Sequence, residues 1–213
     1  MQFDRRRWIL GTTGLTAAVG TSNVLGQSEE DSKPKEAKET PPAKGPREAE
    51  FTRDYDPPGF KPSWKNEQVN RSLAQDFVIF AHSDLKMVEK LLAREPNLLN
   101  AAIDWGNGDF ETALGGASHM GRKDIVEYLL SKGARMDLFC ATMMGMLDVV
   151  KAMLTLEPKL IDARGPHGFS LHFHAQVGQD TAKPVLDYLQ SIKEIELRPV
   201  PFLKKKPAAP KEK

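Results

Sequence analysis

The chain has 213 residues, 40% of them hydrophobic, and its 30 Lys+Arg nearly cancel 29 Asp+Glu to leave a formal net charge of +1. That balance provides no broad basic surface for a phosphate backbone, and no stretch interleaves aromatic and basic residues, so nucleic acid is excluded as the expected partner. The single cysteine, Cys140, rules out an internal disulfide, and the fold must rest on packing alone.

Residues 1–26 read as an export signal. A positive cluster, Arg5-Arg6-Arg7, is followed by Trp8-Ile9-Leu10 and a short apolar run through Val19, broken by Gly and Thr. The order is that of a secretory signal, and the run is too short and polar for a membrane span. The arginines with the aromatic and aliphatics after them resemble a twin-arginine signal, which implies export of an already folded protein to the periplasm. Val24-Leu25-Gly26 offers small residues at a cleavage site, leaving Gln27 as the new start. Membrane contact is expected only through this signal, before cleavage.

Residues 27–65 are rich in Ser, Glu, Lys and Pro, with few apolar groups to offset the entropy of ordering, and predict an extended tether. Phe51, Tyr55, Phe60 and Trp64 interrupt its polarity. They are expected to begin packing onto the first folded unit, the alternative being a short exposed recognition segment. Residues 66–200 suffice for one small domain, and 201–213 form a basic tail.

Within 66–200 a helical pattern recurs. Met87, Val88, Leu91 and Leu92 share a face, as do Ile125, Val126, Leu129 and Leu130, then Val149, Val150, Met153 and Leu154; a looser copy follows around Val185–Leu189. Each unit is too small to enclose a core, so the faces must cover one another by stacking. Ser83-Asp84 is placed to cap the first of these helices. Before each lies a shorter predicted helix: Ala113–Gly121, which has little side-chain bulk, Leu138–Gly145 and Leu171–Gly178. Gly121, Gly145 and Gly178 are expected to make the turns between the members of each pair. Pro96-Asn97-Leu98-Leu99 and Pro158-Lys159-Leu160-Ile161 end two longer helices in parallel ways, the proline stopping the helix and the aliphatics tucking the exit back.

Thr112-Ala113-Leu114, then Gly121 through Leu130 and Ser131-Lys132-Gly133-Ala134, together with Leu171-His172, carry a resemblance to ankyrin repeats over roughly residues 74–191. The resemblance implies an all-α, ankyrin-type solenoid of about four stacked helix pairs, the first and last divergent, with irregular finger loops. It also makes His172 a structural histidine bonding across neighbouring loops. Gly121 and Gly145 are only 24 positions apart, against a family period of about 33, so the finger between them should be reduced to a bend. Ser83 to Gly121 spans 38 positions, which leaves room for an enlarged finger, and a second projection is expected around Gly165-Pro166-His167-Gly168.

The enlarged finger reads Ile103-Asp104-Trp105-Gly106-Asn107-Gly108-Asp109-Phe110-Glu111, and Asn107-Gly108 marks a tight turn. Two aromatics beside three carboxylates suit contact with a protein partner. Local roles compete with that reading: Phe110 sealing the top of a helix, Trp105 covering the loop, the acids solvating its tip. Asp104, Trp105, Asn107, Asp109, Glu111, His119, His167 and Phe169 are the expected partner-contacting residues, and the expected function is protein recognition through the fingers and the adjoining helix edge. The alternative is a small-ligand or metal-binding protein using 104–111, with Asp104, Asn107, Asp109 and Glu111 as hard oxygen ligands for calcium. Their order does not reproduce the helix-loop-helix calcium signature. His82, His119, His167, His172 and His174 gather towards the same stack, and a zinc-activated water with Asp109 or Glu111 as base is chemically conceivable, yet no HExxH pair is present, and His172 and His174 point apart on a helix. Cys140 with His119 as base lacks an oxyanion hole, and its apolar neighbours suggest a buried hydrophobe. No catalytic residue, cofactor or metal is assigned.

Overall fold

The computed structural model describes residues 48–203. The predicted signal, most of the tether and the end of the basic tail lie outside the described residues. Eight α-helices and one short hairpin run along the described chain: α1 (Arg71–Ala81), α2 (Leu85–Arg94), β1 (Ala102–Asp104), β2 (Phe110–Thr112), α3 (Ala113–His119), α4 (Lys123–Ser131), α5 (Leu138–Met143), α6 (Leu147–Leu156), α7 (Leu171–Val177) and α8 (Lys183–Ile192). The fold is mostly helical. α1 packs on α3, α3 on α5 and α5 on α7, while each of these also packs on the helix that follows it.

Short polar side chains start the helices of the first row. Asn70 accepts from the backbone N–H groups of Ser72 and Leu73, Thr112 from that of Gly115, Asp137 from that of Cys140 and Ser170 from that of Phe173. Each occupies an orphan donor of the first turn, which typically contributes about 1 kcal/mol. Asp84 does the same for α2, as its sequence position predicts. The two proline exits become 3₁₀ turns, Pro96–Asn100 and Pro158–Asp162, each capped by the glutamate before it, Glu95 and Glu157.

The apolar faces meet in two clusters. Phe77, Val88, Leu98, Leu114, Ile125, Leu129 and Met143 centre one; Val150, Leu154, Leu171, Val185 and Leu189 centre the other. Burying each such side chain contributes roughly 1.5–3 kcal/mol, so joining the pairs outweighs what any one pair could supply alone. The chain after α8 returns along this core: Val200 is buried, and the carbonyl of Arg198 accepts from the Gln176 side chain.

Three expectations require correction. α1, at 11 residues, is longer than α2, at 10, whereas the first helix of every later pair is the shorter one. The N-terminus of α1 begins at the Asn70 cap. Phe51, Tyr55, Phe60 and Trp64 do not pack onto the first unit but stay 57–80% exposed. The Pro-rich backbone around them forms no regular element that would hold them against the core.

The third concerns the turn glycines. Gly121 and Gly145 take positive φ, +68° and +75°. Gly178 does not; its φ is −66°, and the left-handed residue is Gln179 at +56°. Glycine is demanded at 178 by proximity instead, because a Cβ there would sit 2.2 Å from the carbonyl oxygen of Met143. The segment between α4 and α5 carries no strand, in keeping with a finger reduced to a bend.

Candidate functional site

The enlarged finger is an antiparallel hairpin in which Ile103 faces Glu111 across β1 and β2. Its turn uses positive φ at Gly106, Asn107 and Gly108. Asp104 stabilises the turn from within, accepting from the N–H of Gly106 at 2.8 Å and of Gly108 at 3.2 Å. Strand alternation then decides where the acids go. Phe110 points out, 65% exposed, and Glu111 points in, 1% exposed.

Glu111 is the centre of the site. Its Oε2 accepts from the Trp105 indole N–H at 2.8 Å and lies 3.3 Å from His82 Nε2 and 3.6 Å from His167 Nε2. Its Oε1 lies 3.0 Å from His119 Nδ1, although neither atom completes a hydrogen bond. Burial alone would raise the Glu111 carboxyl, but the His119 and His82 imidazoles outweigh it and hold the group at about 2. Burial likewise opposes a charge on His82, and is outweighed by Glu111 and by the carbonyls of Val78 and Ile79, so that pKa is raised.

Four elements supply these side chains. His82 caps the C-terminus of α1, Glu111 belongs to β2, His119 ends α3, and His167 lies in the 3₁₀ turn Pro166–Gly168 with φ of +58°. Gly116 makes the approach feasible: a Cβ on it would meet the His82 ring at 2.7 Å. Asp109 ties the two projections together across 58 positions, accepting from the His167 backbone N–H at 2.9 Å and from its ring Nδ1 at 2.8 Å. Phe169 closes the side, 5.3 Å from His119 between ring centroids and stacked on Phe173 at 4.0 Å.

Of the eight residues expected at a partner site, the structure brings together Trp105, Asp109, Glu111, His119, His167 and Phe169. Asp104 and Asn107 remain in the hairpin turn. The calcium set does not assemble: Asp104 serves the turn, Asp109 serves His167 and Glu111 faces the imidazoles. His82, weighed in the sequence only among the histidines of the stack and not among the partner-contacting residues, joins them. The sequence feature that places it is Gly116, whose missing side chain leaves room for the His82 ring. Among the described residues, one group of histidines, cysteines or carboxylates has its ligand atoms within metal-sharing distance: His82, Glu111, His119 and His167, all within 4.8 Å of one another.

The remaining candidates for chemistry lie apart. Burial pushes the Cys140 thiol up to about 11, which keeps it protonated and unreactive. His172 Nε2 donates to the carbonyl of Lys193 and His174 Nδ1 to that of Ser170. Both are buried and structural. An open cleft of about 660 Å³ runs beside the hairpin, lined by Val69, Arg71, Ala74, Ile103, Trp105 and Phe110. Of the four clustered residues, none lines it. No protein-family model matches the chain, and no curated protein matches it.

Proposed function

We propose that this chain is an exported, ankyrin-type stack of helix pairs that recognises another protein through its hairpin finger and the cleft beside it. The succession α1–α3–α5–α7, with a second helix following each, supports the ankyrin-type reading. The observation that carries the recognition reading is the pair Trp105 and Phe110, 42% and 65% exposed on a hairpin whose turn is fixed internally. Rings held on a preformed loop lose little conformational freedom on binding, and large aromatics set against a groove are the usual anchors of an interface.

Phe110 is the better probe of the two, because removing Trp105 would also strip a hydrogen bond from Glu111. The untagged chain, immobilised and exposed to periplasmic extract, should retain a specific protein, whose affinity is then measured by calorimetry. F110A should weaken that complex about 30-fold, the equivalent of roughly 2 kcal/mol for an anchor residue. L156A, which removes an apolar side chain that is 83% exposed on α6, should leave it unchanged. Equal affinities for wild type and F110A, with circular dichroism showing both folded, would refute the finger as the recognition surface.

A further inference from the structure

The geometry points to a divalent transition-metal site of the zinc class, built by His82, Glu111, His119 and His167 and independent of any protein partner. The argument begins with which nitrogens are free. His82 Nδ1 lies 2.9 Å from the carbonyl oxygen of Val78, an acceptor only, so that nitrogen carries the proton. His167 Nδ1 lies 2.8 Å from the Asp109 carboxylate and is protonated for the same reason. With Nδ1 committed in both rings, each presents Nε2 to Glu111 Oε2, at 3.3 and 3.6 Å, and a ring without a second proton offers its lone pair there.

Two lone pairs aimed at a carboxylate repel it unless positive charge stands among them, and a metal ion held by all of them supplies that charge. The third imidazole, His119, brings a buried Nδ1 without a hydrogen-bond partner to within 3.0 Å of Glu111 Oε1, itself unpartnered. Orphaned buried polar atoms are costly, and two that face each other within a ring of donors mark a place for something that binds both.

The spacing suits a metal. Ligands about 2.0–2.1 Å from a tetrahedral ion stand roughly 3.3–3.5 Å apart; His82 and His167 Nε2 lie 3.3 and 3.6 Å from Glu111 Oε2, His119 Nδ1 lies 3.0 Å from the other oxygen, and the four ligand atoms all fall within 4.8 Å of one another. Three imidazoles with one carboxylate form a nitrogen-rich set that favours zinc, copper, nickel or iron(II) over magnesium or calcium. The support around the ligands is also that of a metal centre. Asp109 orients His167, the Val78 carbonyl orients His82, and the Trp105 indole N–H holds one Glu111 oxygen. The other source of positive charge is a second proton on His82 and His167, and the experiment separates the two.

The untagged protein, freed of metal by chelator and dialysed, would be titrated with Zn²⁺ by calorimetry and with Co²⁺ by visible absorption. One Zn²⁺ should bind per chain, Co²⁺ should give the intense visible bands of a four-coordinate N/O site, and Ca²⁺ and Mg²⁺ should not compete. E111Q and H119Q should weaken Zn²⁺ by at least 100-fold, and C140S should leave it unchanged. D109N acts only through His167, so it should keep a stoichiometry of one while weakening the affinity about tenfold. If E111Q or H119Q fails to fold, D109N and H167Q, on the more exposed side of the cluster, carry the comparison. Absence of saturable binding by wild type would overturn the site and leave a proton-sharing histidine–carboxylate cluster. Undiminished binding by the folded variants would overturn it as well.

Discussion

Three glycines allow backbone strain to be separated from steric exclusion. Gly133 has φ of +91° and open space where a Cβ would go, so Gly133→Ala tests the left-handed backbone alone. Gly178 has φ of −66° but a Cβ there would lie 2.2 Å from the Met143 oxygen, so Gly178→Ala tests crowding alone. Gly145 combines the two, with φ of +75° and a Cβ 2.2 Å from the Thr181 oxygen. An alanine in the left-handed region costs about 1 kcal/mol. A contact roughly 1 Å inside van der Waals distance, between backbone groups that cannot rotate away, costs about 1–3 kcal/mol through displacement of the packed elements. Gly133→Ala should therefore lose about 1 kcal/mol, Gly178→Ala about 2, and Gly145→Ala about 3. At about 3 °C per kcal/mol for a domain of this size, the melting temperatures should fall by about 3, 6 and 9 °C. Urea unfolding followed by circular dichroism measures the losses directly, and an unchanged m-value confirms that the native state is what moved. If Gly145→Ala cost no more than Gly133→Ala, the close approach of the α5–α6 turn to the segment before α8 would be refuted.

Acid should loosen the fold through His174, whose pKa burial depresses to about 4, against the opposing hydrogen bond to the Ser170 carbonyl. The unfolded chain takes up that proton near 6.5 and the folded chain only near 4, so stability is full above 6.5 and falls as the pH drops through this window. The loss reaches roughly 2–3 kcal/mol at pH 4.5. Denaturant curves at pH 7.5 and 4.5 should show that loss shrinking by a similar amount in H174Q, and an equal pH dependence in both proteins would refute the assignment. For export, replacing Arg5, Arg6 and Arg7 with lysine should strand the precursor in the cytoplasm, since a receptor that reads arginine's planar fork is not satisfied by a point charge. Unchanged processing in fractionated cells would refute the twin-arginine route.

Local chemistry made much of the fold legible. The apolar spacing of 87–92, 125–130 and 149–154 located α2, α4 and α6, Asn107-Gly108 located the hairpin turn, and the two proline exits were visible as a pair. What remained hidden depends on distances that sequence spacing does not encode. Six of the eight expected site residues converge, but as a ring of imidazoles around Glu111 in place of an acidic tip open to a partner. Strand alternation would have turned Glu111 inward had the register of the three-residue strands been known. His82 joins only because Gly116 lets its ring pass, and Gly178 looks like a turn residue in sequence although its neighbour Gln179 takes the turn. The aromatics at 51–64 misled because hydrophobicity alone does not say whether a Pro-rich backbone can return to the core.

The bond between Asp109 and His167 bears on how such a chain can change in length. In repeat proteins a unit can be gained or lost because each contacts only its neighbours; in this chain α3 also packs on α7, beyond the intervening α5–α6 pair. Here the α5–α6 pair lies between the two halves of a shared site. Duplicating it would move His167 about 10 Å, one helix-packing distance, from Asp109, Glu111 and His119. Deleting it would displace the His167 turn by a similar distance in the opposite sense. The number of units between residues 109 and 167 is therefore constrained by side-chain chemistry, whereas an additional unit beyond α8 would leave the ring of imidazoles untouched.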